Sequence, residues 1–313
     1  MIKKSLFAFL FCFLIGNTYL WFVKPLRLQP QHQYHENLCK AERFVLNDKN
    51  IEVAILGSSL GNRINQDLLP HGWTKLTFSG LSTLEGLELV NRSTKNNVKC
   101  VLLEINVLSR PQNEAFLKDV YPPVISELKR LFPVFQVKNQ PVSLLYPSLA
   151  YLCYGTQKRV GTLFNKKETK LIHNSKALPE ISFENNAKIE IPNSKPQSHT
   201  NPIFHNKFSD YCKELDSNLV KFRLNQIETY IQQFEKKHIK IIFYEMPVDQ
   251  QLRTLPLSGQ IRRRFYEKFP TEKYPYIVAS DSLIFNTSDG IHLTGESINE
   301  YTLFFIDQVK KNY

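Results

Sequence analysis

The chain has 313 residues, 42% of them hydrophobic and 12% aromatic, and carries a formal net charge of +11. That apolar content is ample for a buried core and excludes a disordered polar chain. The excess of lysine and arginine asks for an anionic neighbour, such as an acidic glycan or lipid headgroups; nucleic acid is not expected, because no recognised nucleic-acid module is present.

In chain order, Lys3 and Lys4 precede an uncharged apolar run, Ser5 to Val23. Its length is about what a ~30 Å hydrocarbon core requires of a helix. A cleaved signal peptide is the rival reading and a core helix the plain one. No Ala-x-Ala-like site follows, and Tyr19, Trp21 and Phe22 form an interfacial belt before Lys24, which argues for an uncleaved anchor. Residues 1–24 are thus expected to be a transmembrane helix, 25–50 a stalk and lead-in, and the remainder to lie in the periplasm or outside the cell. His32 and His35 in the stalk have no cysteine or carboxylate cluster to complete a metal site.

Ile51, Val53, Ile55 and Leu56 predict a buried parallel strand. The pattern then predicts a helix at about 60–69, a strand at 75–78, a helix at 83–95 and a strand at 98–105. Residues 108–214 interrupt the alternation. Val124 to Phe132 is amphipathic, Pro141 to Tyr154 is rich in aromatics, and 156–207 is polar and lysine-rich with four prolines. The pattern resumes with a helix at 216–237, whose buried face reads as Leu219, Phe222, Ile227, Ile231 and Phe234. A strand at 240–244, a helix at 257–269 and a short strand at 276–279 follow. Ser297-x-x-Glu300 has a capping-box pattern that predicts a final helix from there to about 310. Such alternation argues for an α/β fold, a parallel sheet with helices on both faces. The five cysteines, Cys12, Cys39, Cys100, Cys153 and Cys212, are scattered, and no one disulfide is selected by spacing.

Two stretches carry chemistry. Gly57-Ser58-Ser59-Leu60-Gly61 ends the first strand at a small-residue turn, where open α/β sheets place their sites. Near the other end, Asp289-Gly290-Ile291-His292 sets a carboxylate and an imidazole three residues apart on a tight loop. Serine, histidine and an orienting acid are the three parts of an activated nucleophile. Each half alone has a plainer reading, as a strand-to-helix connection or as a turn beside a surface histidine.

Together the two stretches resemble the first and last blocks of the SGNH (GDSL-type) hydrolases. Phe78-Ser79-Gly80-Leu81-Ser82 resembles the block whose glycine lends a backbone N–H to the oxyanion hole, and Glu104-Ile105-Asn106-Val107 the block that carries the asparagine. The resemblance covers about 51–110 and 216–313. Ser58 stands where the family has aspartate, and Glu104 and Val107 flank Asn106 where it has glycine and aspartate. Similar departures occur among polysaccharide O-acetyltransferase and D-alanyl-transfer relatives. The resemblance implies a flavodoxin-like three-layer sandwich spanning 51–313, with 108–214 as an insertion that enters beside the site as a mobile loop or a substrate cap. It implies Ser59 as nucleophile, His292 as base and Asp289 as its orienting acid, with Ser59, Gly80 and Asn106 as oxyanion donors and no metal or organic cofactor. The implied substrate is an acylated glycan or another ester, with a membrane acyltransferase as a further partner. A non-catalytic protein of the same fold, binding glycan or scaffolding that acyltransferase, is the alternative.

Overall fold

The computed structural model describes residues 2–22, 33–46, 50–93, 97–122, 126–139, 202–280 and 283–313. Five parallel strands form one sheet in the order β2-β1-β3-β4-β5. They are β1 (Val53–Gly57), β2 (Trp73–Thr77), β3 (Cys100–Glu104), β4 (Lys240–Tyr244) and β5 (Tyr276–Ile277). The order is that of a doubly wound sheet of flavodoxin type, which reverses direction between β1 and β3.

Side chains alternate across the strands, so each strand feeds two cores. Ala54, Leu56, Val101, Leu103, Ile241 and Phe243 point to one face. There they meet helices α2 (Gln33–Leu46), α3 (Leu84–Arg92), α4 (Glu114–Val120), α7 (Ser217–Lys236) and α9 (Pro256–Lys268). Val53, Ile55, Cys100, Leu102, Ile242 and Tyr244 point to the other, covered chiefly by Tyr301, Phe305 and Val309 of α10 (Gly295–Asn312). The remaining helices are α1 (Ile2–Phe22), α5 (Ser126–Leu131), α6 (Pro202–Tyr211) and the short α8 (Gln250–Arg253).

Several expectations need correction. The segment expected as a stalk supplies α2, whose Ala41 and Phe44 are fully or almost fully buried in the main core. The domain therefore includes residues well ahead of β1. The helix expected at 60–69 is instead two 3₁₀ turns, Gly61–Arg63 and Gln66–Leu68. Asn65 interrupts the pattern, its carboxamide oxygen capping the Asp67 N–H at 3.0 Å. In α7 the buried stripe runs Val220, Leu224, Ile227, Ile231 and Phe234, and Phe222 faces outward. Asp216 caps this helix on the Asn218 and Leu219 N–H groups. The final helix starts at Gly295, and Ser297 is not its cap. The Ser297 hydroxyl is buried and accepts the Asn286 N–H at 2.9 Å, so it braces the loop before the helix.

The N-terminal run does form a helix, α1, but the expectation of a transmembrane helix is not met. Among the described residues no helix is long and apolar enough to cross a membrane. Gly16, Asn17 and Thr18 interrupt its apolar run, and Val23 lies outside the described residues. Asn17 is buried against the insertion, where its Oδ1 accepts the Val134 N–H at 3.3 Å. Phe13 packs its ring on Phe132 and Phe135, with centroids 5.3 and 5.8 Å away. Of the insertion itself, α4, α5, the 3₁₀ turns Pro133–Phe135 and Val137–Asn139, and α6 are described. The lysine-rich stretch expected at 156–207 lies almost wholly outside the described residues, as do Cys153, His173 and His199.

Candidate active site

The 57–62 turn leaves β1 at the carboxyl ends of β1 and β3, where the strand order reverses and open α/β sheets place their sites. Gly57 closes β1, and the chain continues into a turn supported from below by Glu104 at the end of β3. Glu104 is fully buried. Its Oε2 accepts the N–H groups of Ser58 and Gly61, both at 2.9 Å, and its Oε1 accepts the Ser58 hydroxyl at 2.7 Å. Ser58 Oγ in turn accepts the Leu60 N–H at 3.2 Å, and the Asn62 N–H reaches the Ser58 carbonyl at 3.1 Å. These contacts explain the glycines: a Cβ on Gly57 would stand 2.4 Å from Glu104 Oε2, and one on Gly61 2.5 Å from the Tyr244 hydroxyl. Burial raises the Glu104 carboxyl above the usual range, against the lowering effect of the Ser58 and Gly61 donors.

The turn's outer side is held by Asn62. Its Oδ1 accepts from Lys40 Nζ at 2.7 Å and from the Thr77 hydroxyl at 3.3 Å, and its Nδ2 donates to Ser79 Oγ at 3.4 Å. Lys75 donates to the carbonyls of Asn62, at 3.0 Å, and of Ile64. Burial, then the neighbouring Lys40 charge, lowers the Lys75 ammonium to about 8. Asn37 of α2 grips the second loop at both backbone polar groups of Ser79: its Nδ2 donates to the carbonyl at 2.9 Å and its Oδ1 accepts the N–H at 3.2 Å. Gly80 follows with φ +82°, a left-handed turn that glycine adopts without strain.

The loop before α10 brings the other half. An antiparallel bridge joins Thr287 to Leu293, and the Ser288 N–H donates to the His292 carbonyl at 2.9 Å. Gly290 has φ +91°, and a Cβ there would lie 2.7 Å from the Phe204 ring of α6. Within this loop Asp289 Oδ1 accepts the Ile291 and His292 N–H groups at 3.2 and 2.9 Å. Its Oδ2 lies 2.8 Å from His292 Nδ1, and His292 Nε2 lies 3.2 Å from the Ser59 hydroxyl. With Nδ1–H donated to the carboxylate, Nε2 is left as the acceptor for the serine proton. Burial raises the Asp289 carboxyl, but the His292 side chain, the His292 N–H, the imidazole charge and the Ile291 N–H together bring it below the ordinary value.

The structure thus joins Ser59, His292 and Asp289 into one continuous relay across more than 230 residues of sequence. The three expected oxyanion donors differ in what engages them. Among the described residues the Ser59 and Gly80 N–H groups have no partner. Asn106 is held by the Met246 backbone, its Oδ1 accepting the N–H at 2.7 Å and its Nδ2 donating to the carbonyl at 2.9 Å. That fixes the carboxamide plane and leaves its second amide hydrogen without a partner among the described residues. From the far end of the insertion α6 leans on the Asp289 loop through Phe204, which packs with Val248 and Leu252 and near Ile291. Tyr211 joins this cluster; burial and then the Glu104, Glu245 and Asp289 carboxylates push its phenol up to about 12.

The relay is legible in the motifs, and its supports are not. Glu104 was visible only as a departure beside Asn106, and Asn37 and Lys40 lay in the expected stalk. Their signal was a polar residue set among apolar periodic positions, which reads equally as a solvated face. No group of histidines, cysteines and carboxylates suited to a metal ion occurs among the described residues. Comparison with protein-family models, curated proteins and solved structures finds no match to this chain.

Proposed function

We propose that this protein is an SGNH-type serine esterase or O-acyltransferase, acting on an ester, an acetyl ester first of all, of a cell-envelope or extracellular glycan. The observation that carries the reading is the Ser59–His292–Asp289 relay, with contacts of 3.2 and 2.8 Å. Ser59 Oγ adds to the ester carbonyl while its proton passes to His292 Nε2, and Asp289 stabilises the resulting imidazolium. The carbonyl oxygen becomes an oxyanion, for which the Ser59 and Gly80 N–H groups and the second Asn106 amide hydrogen are the assigned donors, each such donor contributing about 3 kcal/mol in comparable sites. Collapse expels the alcohol, which takes the proton from His292, and leaves an acyl-serine. Water then regenerates the serine in an esterase, whereas a sugar hydroxyl does so in a transferase. In the second case a membrane-embedded acyltransferase is the fitting source of acyl groups.

The same reading places the domain at a membrane, on its periplasmic or extracellular side. Phe7, Phe9, Leu14 and Ile15 of α1 project outward on several sides, with Phe7 72% exposed. A helix that is apolar around its circumference and exposed to water is unstable unless another apolar phase covers it. The full-length protein is expected in the membrane fraction, and a variant lacking residues 1–24 in the soluble fraction. Equal partition of the two forms would remove the membrane from the proposal.

The catalytic reading is tested by exposing full-length protein to a fluorophosphonate and mapping the adduct by peptide mass. Labelling is expected on Ser59, with hydrolysis of p-nitrophenyl acetate. Acetyl transfer to an added oligosaccharide distinguishes the transferase from the esterase. A folded protein that neither labels nor turns over an ester would leave the non-catalytic role, and the hydrolase reading would fail.

A further inference from the structure

Resting on the serine reading above, we propose that Glu104 is a positioning residue for the oxyanion hole, acting through the backbone of the nucleophile turn. Three N–H groups surround Ser59 in sequence, and each is engaged by one unit. Glu104 takes the Ser58 and Gly61 N–H groups directly, and takes the Leu60 N–H indirectly through the Ser58 hydroxyl. The next residue, Asn62, returns its N–H to the Ser58 carbonyl. Ser59 alone in the turn keeps an N–H with no partner among the described residues, and Ser59 is also the residue whose hydroxyl faces His292. The lock therefore selects which donor of the turn faces the substrate.

Two further observations fit a built device. Tyr244 is fully buried beside it and donates its hydroxyl to the Leu56 carbonyl at 3.1 Å, tying the end of β1 to β4. Both glycines of the turn are required by this assembly, since a Cβ on either would collide with Glu104 or Tyr244. A buried carboxylate that served packing alone would be costly, because its desolvation must be matched by directed donors. Here the donors are the backbone of the nucleophile turn itself. Ser58, which has no direct place in the Ser59–His292–Asp289 relay, is the link that extends the lock to Leu60.

Glu104→Ala, Ser58→Ala and Glu104→Gln separate this role from a general loss of stability. Each is measured for kcat, KM and affinity for a boronic acid, which forms a tetrahedral adduct on the serine and so reports the oxyanion donors. Glu104→Ala releases the Ser58 and Gly61 donors and is expected to lower kcat and boronate affinity together, each about 100-fold, with KM within threefold of wild type. Ser58→Ala frees the Leu60 N–H and takes the hydroxyl donor from Glu104 Oε1 while leaving the two direct N–H contacts, for an expected loss of about tenfold in both. Glu104→Gln keeps an acceptor for the two direct N–H groups and should retain at least a third of wild-type kcat. A folded Glu104→Ala protein within threefold of wild type in kcat and boronate affinity would overturn the proposal, as would a loss confined to KM. Should Glu104→Ala not fold, Ser58→Ala decides: a tenfold parallel loss supports the lock, and a change under twofold sinks it. An inactive, unlabelled wild type overturns the serine reading as well, which distinguishes that failure from an active enzyme indifferent to Glu104.

Discussion

Ser59→Ala is expected to abolish fluorophosphonate labelling and to reduce ester turnover by roughly 10⁵–10⁶-fold, with unfolding by urea unchanged within about 0.5 kcal/mol. The effect is large because the hydroxyl is the atom that bonds to carbon, and no neighbour can replace it. Ser58 is one residue away, but its hydroxyl is completely buried and turned toward Glu104. Stability should hold, since Ser59 is only partly buried and its hydroxyl contacts His292 alone among the described residues. The measurement is intact-mass labelling beside kcat on p-nitrophenyl acetate. Labelling that survives in Ser59→Ala and vanishes in Ser58→Ala would mean that the nucleophile is the neighbouring serine.

The α/β alternation is legible because β1, β3 and β4 carry short buried runs and helices such as α3 and α7 a periodic one. β1, β3, β4 and α7 fall within a few residues of where hydrophobic pattern puts them. The relay residues were legible for another reason: serine in a Gly-rich turn and Asp-Gly-Ile-His in a tight loop are local patterns, complete within five residues. What pattern reading missed is non-local. Nothing within residues 60–69 says that the turn will be held by a carboxylate more than 40 residues later, so apolar spacing at Ile64, Leu68 and Leu69 read as helix. The same holds for Asn37 and Lys40, whose partners Ser79 and Asn62 lie 42 and 22 residues away. Phe222 reads as core from the sequence because both possible stripes of α7 carry apolar residues, and packing against α3 and β4 selects Val220 and Leu224.

Asp289→Asn is expected to lower kcat by about 10³–10⁴-fold while leaving KM nearly unchanged. The substitution is almost isosteric, and the new carboxamide oxygen can still accept the Ile291 and His292 N–H groups now bound by Oδ1. The difficulty arises at Oδ2, which becomes an NH₂ group facing His292 Nδ1 across 2.8 Å. Two donors cannot share that contact, so the imidazole moves its proton to Nε2 and presents a donor to Ser59 instead of an acceptor. The same variant tests the electrostatics through pH. Because the folded Asp289 carboxyl lies below its ordinary value, its ionised form contributes stability that is complete above the unfolded pKa and lost as pH falls through the folded one. Asn cannot titrate, so the stability difference between wild type and variant should be greatest near neutrality and shrink as the pH is lowered below about 4. Urea unfolding of both proteins from pH 7 down to the acid limit of folding measures this directly. A difference constant across that range would mean that Asp289 gains nothing from His292 in the folded state, and the orienting role assigned to it would be lost.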